Sequence, residues 1–149
     1  MKFQYLTATP LQTKKLGEIL AKEVLKTKLK KGALIIGLEG DLGGGKTTFL
    51  QGFAKGLGTK QRITSPTFII FRRFKIKDLR FKNFYHIDCY RISKPKEILD
   101  LGFKEIISDS KNIITIEWAE RLQKILPRET IIIKFEFIDQ KTRKITIGF

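Results

Sequence analysis

Residues 33–48 read "ALIIGLEGDLGGGKTT". The first seven, "ALIIGLE", form a continuous apolar run with β-branched residues, which is the pattern of a strand covered on both faces. Three consecutive glycines then lead into Lys46, Thr47 and Thr48. Gly40-x-x-x-x-Gly45-Lys46-Thr47 has the P-loop spacing, and Phe49, Leu50, Phe53 and Leu57 continue it at helical spacing to a stop at Gly56 or Gly58. Strand, glycine turn and helix in this order make an anion nest. Glycine permits positive φ and close backbone approach, and the helix N-terminus adds partial positive charge. The expected ligand is a nucleoside triphosphate with magnesium. Gly43, Gly44, Gly45, Lys46, Thr47 and Thr48 would supply backbone N–H groups, Lys46 would reach the β- and γ-phosphates, and the Thr47 hydroxyl would ligate Mg²⁺. The Asn/Thr-Lys-x-Asp pattern that reads guanine is missing: "TKKL" and "TKQR" both lack the Asp. ATP is therefore the expected nucleotide.

Outward from the loop, strands and helices alternate. "KFQYL" reads as a short strand. Thr9 and Gln12 fit a capping box, with Pro10 at the first helical position and Leu16, Ile19, Leu20 and Val24 as the apolar stripe of the helix that follows. "TSPTFIIFRRF" and "RFKNFYHIDCYR" read as two strands of a hairpin around "KIKDL". Pro95 opens a short helix, and a further helical turn surrounds Glu105. "NIITIEW" is a second buried strand, "AERLQKIL" a helix stopped by Pro127, and "ETIIIKFEFI" with "RKITIGF" a hairpin through "DQKT". The expectation is one α/β domain over 1–149, a P-loop NTPase-like three-layer arrangement with a largely parallel central sheet and antiparallel additions.

The 149 residues carry 30 Lys+Arg against 15 Asp+Glu, a formal charge of +15. Such a surplus attracts polyanions, although a composition rich in Lys, Ile and Phe gives the same number without any partner. The basic stretches "KTKLKK" (26–31), "RRFKIKDLRFK" (72–82) and "KTRK" (141–144) are interrupted, unlike a disordered basic tail. The single Cys89 excludes an internal disulfide and suits a reducing compartment. No window approaches a membrane span and no signal peptide is visible, so the expected location is the cytoplasm.

Acting on a phosphate needs a metal, a positioned water and charge stabilisation. Two carboxylates end apolar strands: Asp88 in "FYHID" and Glu117 in "NIITIE". Ligands gather at the carboxyl ends of strands in open α/β sheets. From pattern alone, either carboxylate could partner the magnesium while the other orients water. Thr67 in "TSPTF" stands where a switch threonine would sense the γ-phosphate, and it reads equally as a strand entry. His86 reads as a hydrogen-bonded structural residue, Arg91 as a tie for Asp88, and Trp118 as core.

Taken together, "GDLGGGKTT", "SPTF", "HIDCYR", "EILDLG" and "IEW" resemble the bacterial TsaE (YjeE) family, the small P-loop ATPases of tRNA threonylcarbamoyladenosine synthesis. Glycine at Gly44 departs from the Ala usual in that loop. The resemblance implies partnership with a TsaB–TsaD-like pair, with ATP hydrolysis resetting that complex. It implies that Lys46 and the 43–48 backbone hold phosphate, that Thr47 and Glu117 ligate Mg²⁺, that Asp88 acts near the γ-phosphate, that Thr67 is the switch residue, and that Thr9–Thr13 lie near adenine. Contact with tRNA would be indirect or weak, through the basic surface. The rival readings are a small P-loop kinase acting on a metabolite, which would need an acceptor pocket and an Arg-bearing lid (72–82 could be mistaken for one, but its alternating apolar residues read as a hairpin), and an RNA-binding module with a regulatory nucleotide site.

Overall fold

The computed structural model describes residues 1–40, 45–59 and 71–149. Gly43, Gly44 and Thr67 lie outside the described residues, as does the "TSPTFII" part of the strand expected there. Seven strands form one sheet: β1 (Lys2–Thr7), β2 (Leu34–Gly40), β3 (Phe71–Lys75), β4 (Asn83–Asp88), β5 (Asn112–Glu117), β6 (Ile131–Phe137) and β7 (Arg143–Gly148). Their order is β1-β7-β6-β2-β5-β4-β3. The central β6-β2-β5-β4 pairings are parallel, and β3, β7 and β1 add antiparallel.

The helices are α1 (Pro10–Leu25), α2 (Lys46–Gly56), α3 (Pro95–Leu99) and α4 (Phe103–Ser108). Alternation along the central strands separates two cores. Ile36, Leu38, Phe84 and Ile113 face α1 and α2, while Ile35, Ile87, Ile114 and Ile116 face Ile98 of α3 and Phe103 of α4. Helices on both sheet faces explain why β5 is buried at every position. Beyond β6 only one face is covered: Ile133 and Phe135 are buried, and Lys134 and Glu136 between and after them are exposed.

α1 begins as its sequence signals specify. The Thr9 hydroxyl accepts the Gln12 N–H at 3.1 Å, and the Gln12 amide reaches back one residue further than in the usual box, accepting the Ala8 N–H at 2.7 Å. The buried stripe differs from the expected one: Thr13, Gly17, Ala21 and Val24 are buried, Leu16 and Leu20 pack at the core margin, and Ile19 is half exposed. Small residues set the stripe because α2 comes very close. A Cβ on Gly17 would lie 2.1 Å from the Phe49 carbonyl oxygen, and one on Gly52 would lie 1.8 Å from that of Lys14. Backbone thus meets backbone, which holds the start of α2 rigidly against α1.

Residues 71–88 form the expected hairpin, β3 to β4. The expected helix over 119–126 is only a 3-10 turn, Ala119–Leu122. Its two buried side chains are Ala119 and Leu122. Trp118 enters it with φ 60, a left-handed conformation that does not propagate into an α-helix. Among the described residues no helix is long and apolar enough to cross a membrane.

Candidate functional site

On the α1/α2 face, side chains along β4 and β5 pass from apolar to polar to charged toward the carboxyl ends. Phe84 is level with Ile113, His86 with Thr115, and Asp88 with Glu117. On β2, Leu38 is level with Glu117, and Gly40 ends the strand two residues later. The parallel register therefore brings the two strand-terminal carboxylates side by side, next to the end of β2. A sequence shows that each ends a strand; only the pairing shows that they are neighbours.

Above them, Gly45 takes the left-handed conformation, φ 97, as the residue before α2, and no side chain caps the helix. The first turn of an α-helix presents N–H groups that have no intrahelical partner, the arrangement that favours an anion. Lys46 is buried, its ammonium donating to the Gly40 carbonyl and lying 3.8 Å from the centre of the Trp118 ring. Thr47 and Thr48, on the first turn of α2, are partly exposed. A Cβ on Gly45 would stand 3.4 Å from Thr13 Cγ2, so the first turn of α1 borders the end of the glycine loop.

Glu117 is buried at 5% exposure and shares a 3.0 Å hydrogen bond with His86 Nε2. The other ring nitrogen of His86 lies 3.1 Å from the Thr115 hydroxyl, itself fully buried. Both ring nitrogens are therefore engaged, which fixes the ring and through it one oxygen of Glu117. His86 is a hydrogen-bonded buried residue, as the sequence suggested, and its partner is the carboxylate of interest. Thr115 was not singled out in the sequence; its only signal is its place two residues before Glu117, on the same strand face.

Asp88 is half-buried, and its Oδ1 accepts the Tyr90 N–H at 2.9 Å. Burial raises its pKa above the ordinary 3.8, and Glu117 adds to the rise; the Tyr90 N–H, His86 and Lys46 oppose it. Arg91 is exposed on the adjoining turn. Glu120, also missed in the sequence, has its pKa raised by burial and by Glu39, with Lys46 opposing. The cation of Lys46 acts on Asp88 and on Glu120, which in turn have Glu117 and Glu39 respectively as acidic neighbours. Trp118 is not simply core: it packs on the α3/α4 side, meets Tyr90 at 5.3 Å between ring centres, and offers its ring to Lys46 and Arg121. Cys89 is buried, and its thiol is pushed up to about 12, chiefly by burial.

Among the described residues no group of three or more His, Cys, Asp or Glu could hold a metal ion. The donor set is instead a hydroxyl and one or two carboxylates, all hard oxygens, beside uncapped N–H groups. That set suits Mg²⁺ bound together with phosphate oxygens rather than a cage made by protein alone.

A family model described as "Threonylcarbamoyl adenosine biosynthesis protein TsaE" matches residues 7–145. The tRNA threonylcarbamoyladenosine biosynthesis protein TsaE of Bacillus subtilis is 34% identical over 145 residues, 97% of this chain and 84% of that protein. Its namesake in Haemophilus influenzae is 34% identical over 123 residues, 83% of this chain and 75% of the relative. Among solved structures, that of YdiB from Bacillus subtilis superposes with a TM-score of 0.74 at 31% identity, covering 99% of this chain and 84% of the other. With the match spanning nearly every element that builds the site, the chain belongs to the TsaE family.

Proposed function

We propose that this chain is a magnesium-dependent ATP-binding and ATP-hydrolysing subunit that serves threonylcarbamoyladenosine formation in tRNA alongside a TsaB–TsaD-like pair. One observation carries the reading: Lys46, at the start of α2, lies close enough to Asp88 to act on its charge, and Asp88 is held level with Glu117 at adjacent strand ends.

In this reading the N–H groups from Gly43 to Thr48 hold the phosphate chain. Lys46 exchanges its neutral carbonyl partner for phosphate oxygen, since a bond with both partners charged is roughly twice as strong. Thr47 and Glu117 hold Mg²⁺, and His86 with Thr115 keeps Glu117 in one orientation. Bound Mg²⁺ would neutralise charge on the phosphate oxygens. Asp88, poorly solvated and therefore more basic than an exposed aspartate, accepts a proton from the attacking water. Thr67 is proposed as the switch residue, and Thr9–Thr13 as the border of the adenine site, since Thr13 touches Gly45. The kinase alternative gains no lid from residues 72–82, which belong to the β3–β4 hairpin as their alternating apolar residues suggested, with Arg80 bound to the carbonyls of Leu25 and Thr27 at the end of α1.

The test is calorimetry with Mg-ATP and phosphate release, for the chain alone and with the TsaB–TsaD pair. Binding, slow release alone and faster release with the pair are expected, and Lys46→Ala should remove them. No heat and no phosphate release with the partners present would sink the proposal. γ-Phosphate appearing on a small acceptor would favour the kinase.

A further inference from the structure

The chain's charge surplus is concentrated at the end of the sheet opposite the nucleotide site. Three loops meet there: 26–33 between α1 and β2, 76–82 between β3 and β4, and 109–111 between α4 and β5. Backbone hydrogen bonds join them to each other and to their neighbours. Lys82 N–H donates to Lys111 O at 2.8 Å, Ile76 N–H to Lys82 O at 2.9 Å, and Ala33 N–H to Ile107 O at 2.8 Å. Arg80 ties the hairpin to the end of α1, donating to Thr27 O at 2.5 Å and to Leu25 O. The loops are therefore one surface, not three tails.

Residues 26–31, 75–82 and 109–111 hold nine Lys or Arg against two Asp. Almost half of the whole chain's excess of fifteen falls in 17 residues. Both acids are committed to turns: Asp78 accepts the N–H groups of Arg80 and Phe81, and Asp109 accepts that of Lys111. Lys26, Lys28, Lys30, Lys31, Lys75, Lys77, Lys82 and Lys111 are exposed. Among the described residues only Lys26 of these has an ion pair, with Glu23 at 3.3 Å. Like charges gathered on a rigid surface repel one another, and a polyanion relieves that repulsion by binding. A composition bias would scatter lysines; it does not bring three loops together with their acids turned into the backbone.

We propose that this face binds the phosphate backbone of tRNA. The choice of tRNA over another polyanion rests on the proposed role in tRNA modification; the face itself does not. Flexible lysines, with the one arginine engaged by backbone carbonyls, suit phosphate contacts without base readout. The strands between this face and the Asp88/Glu117 end are six residues long, about 17 Å at roughly 3.3 Å per residue. RNA held here leaves the nucleotide site open, so both ligands can be bound together. Leu79, 95% exposed at the hairpin tip, and Leu29, 38% exposed in the first loop, would join these lysines on an acidic lipid surface, so the test includes one.

The experiment is fluorescence anisotropy of a labelled tRNA transcript with the full chain. About four phosphate contacts give a log–log salt slope near −3 to −4, a loss on the order of 100-fold between 50 and 200 mM salt. Charge reversal at Lys28, Lys30, Lys77 and Lys111 (each →Glu) should weaken binding at least tenfold more than reversal at Lys94, Lys96, Lys134 and Lys141, which lie outside the loops. Equal weakening by the two sets, no tRNA binding by the unaltered chain, or binding only to phosphatidylglycerol vesicles would each overturn the proposal. Calorimetry with Mg-ATP on the same proteins separates the two readings: a chain that binds tRNA through these loops but gives no heat with Mg-ATP would lose its nucleotide site and keep this one.

Discussion

Replacing His86 by Asn or Gln separates the two hydrogen bonds that its ring makes. Asn can offer a polar atom near the position of Nδ1, toward Thr115; Gln can offer one near Nε2, toward Glu117. In His86→Ala both partners stay buried with nothing in place of the ring. A buried hydroxyl left unsatisfied costs about 1–3 kcal/mol, and a buried charge stripped of its partner about 3–5 kcal/mol. These are not additive, so a loss of about 3–5 kcal/mol is expected, or roughly 6–20 °C in Tm for a chain of this size. That lies within the usual stability of a domain, so the variant should fold at low temperature. The functional expectation is more specific. Partners that orient a metal ligand typically contribute 10–100-fold to metal affinity. With Glu117 as the proposed magnesium ligand, the Mg²⁺ midpoint for ATP binding should rise about 10–100-fold in His86→Asn and stay near normal in His86→Gln. Trp118, the only tryptophan and next to both Glu117 and Lys46, supplies a fluorescence signal for the titration. An unaltered midpoint in His86→Asn, or the same rise in both variants at equal stability, would refute the positioning argument.

Gly52→Ala would drive its Cβ against the Lys14 carbonyl, backbone that cannot rotate away, so a loss of at least about 3 kcal/mol is expected in urea unfolding, above the usual range for overpacking. Gly58→Ala, with open space around it but φ 80, should cost only about 1–2 kcal/mol, from backbone strain alone. Asp88→Asn should stabilise the fold at pH 7 while reducing turnover on the order of 100-fold or more. The raised pKa of Asp88 means that the folded chain binds this proton more tightly than the unfolded chain, so ionisation costs stability once pH exceeds both values. The Tm gain of the Asn variant should therefore shrink as pH falls toward 3.8 and vanish below it.

The fold was legible where residue type and local geometry agree. The buried strands β2 and β5, the capped start of α1 and the left-handed Gly45 before α2 are all specified by neighbours a few positions away. One expectation held only in part and another failed because their cause is distant in sequence. The stripe of α1 is set by how closely α2 approaches, which selects Gly17 and Ala21 over Ile19. The helix expected at "AERLQKIL" is cut short because Ala119 must fit beside Gly37 on β2; a Cβ on that glycine would stand 2.8 Å from the Ala119 Cβ.

The site follows the same division. Lys46, Asp88 and Glu117 could be named from the sequence because each ends or begins an element with a strong local signature. What joins them is register, and register is a property of the assembled sheet. A shift of β4 by one residue against β5 would send His86 and Asp88 to the α3/α4 face, away from Glu117 and away from the start of α2. The layers beneath the charged pair prevent that slip: Phe84 and Ile113 fill the α1/α2 core, while Ile87 and Ile116 fill the opposite one. The apolar residues of the two strands thus position the carboxylates. Substitutions at Phe84 or Ile113 should for this reason damage the magnesium-dependent step through the register of β4, before they unfold the chain.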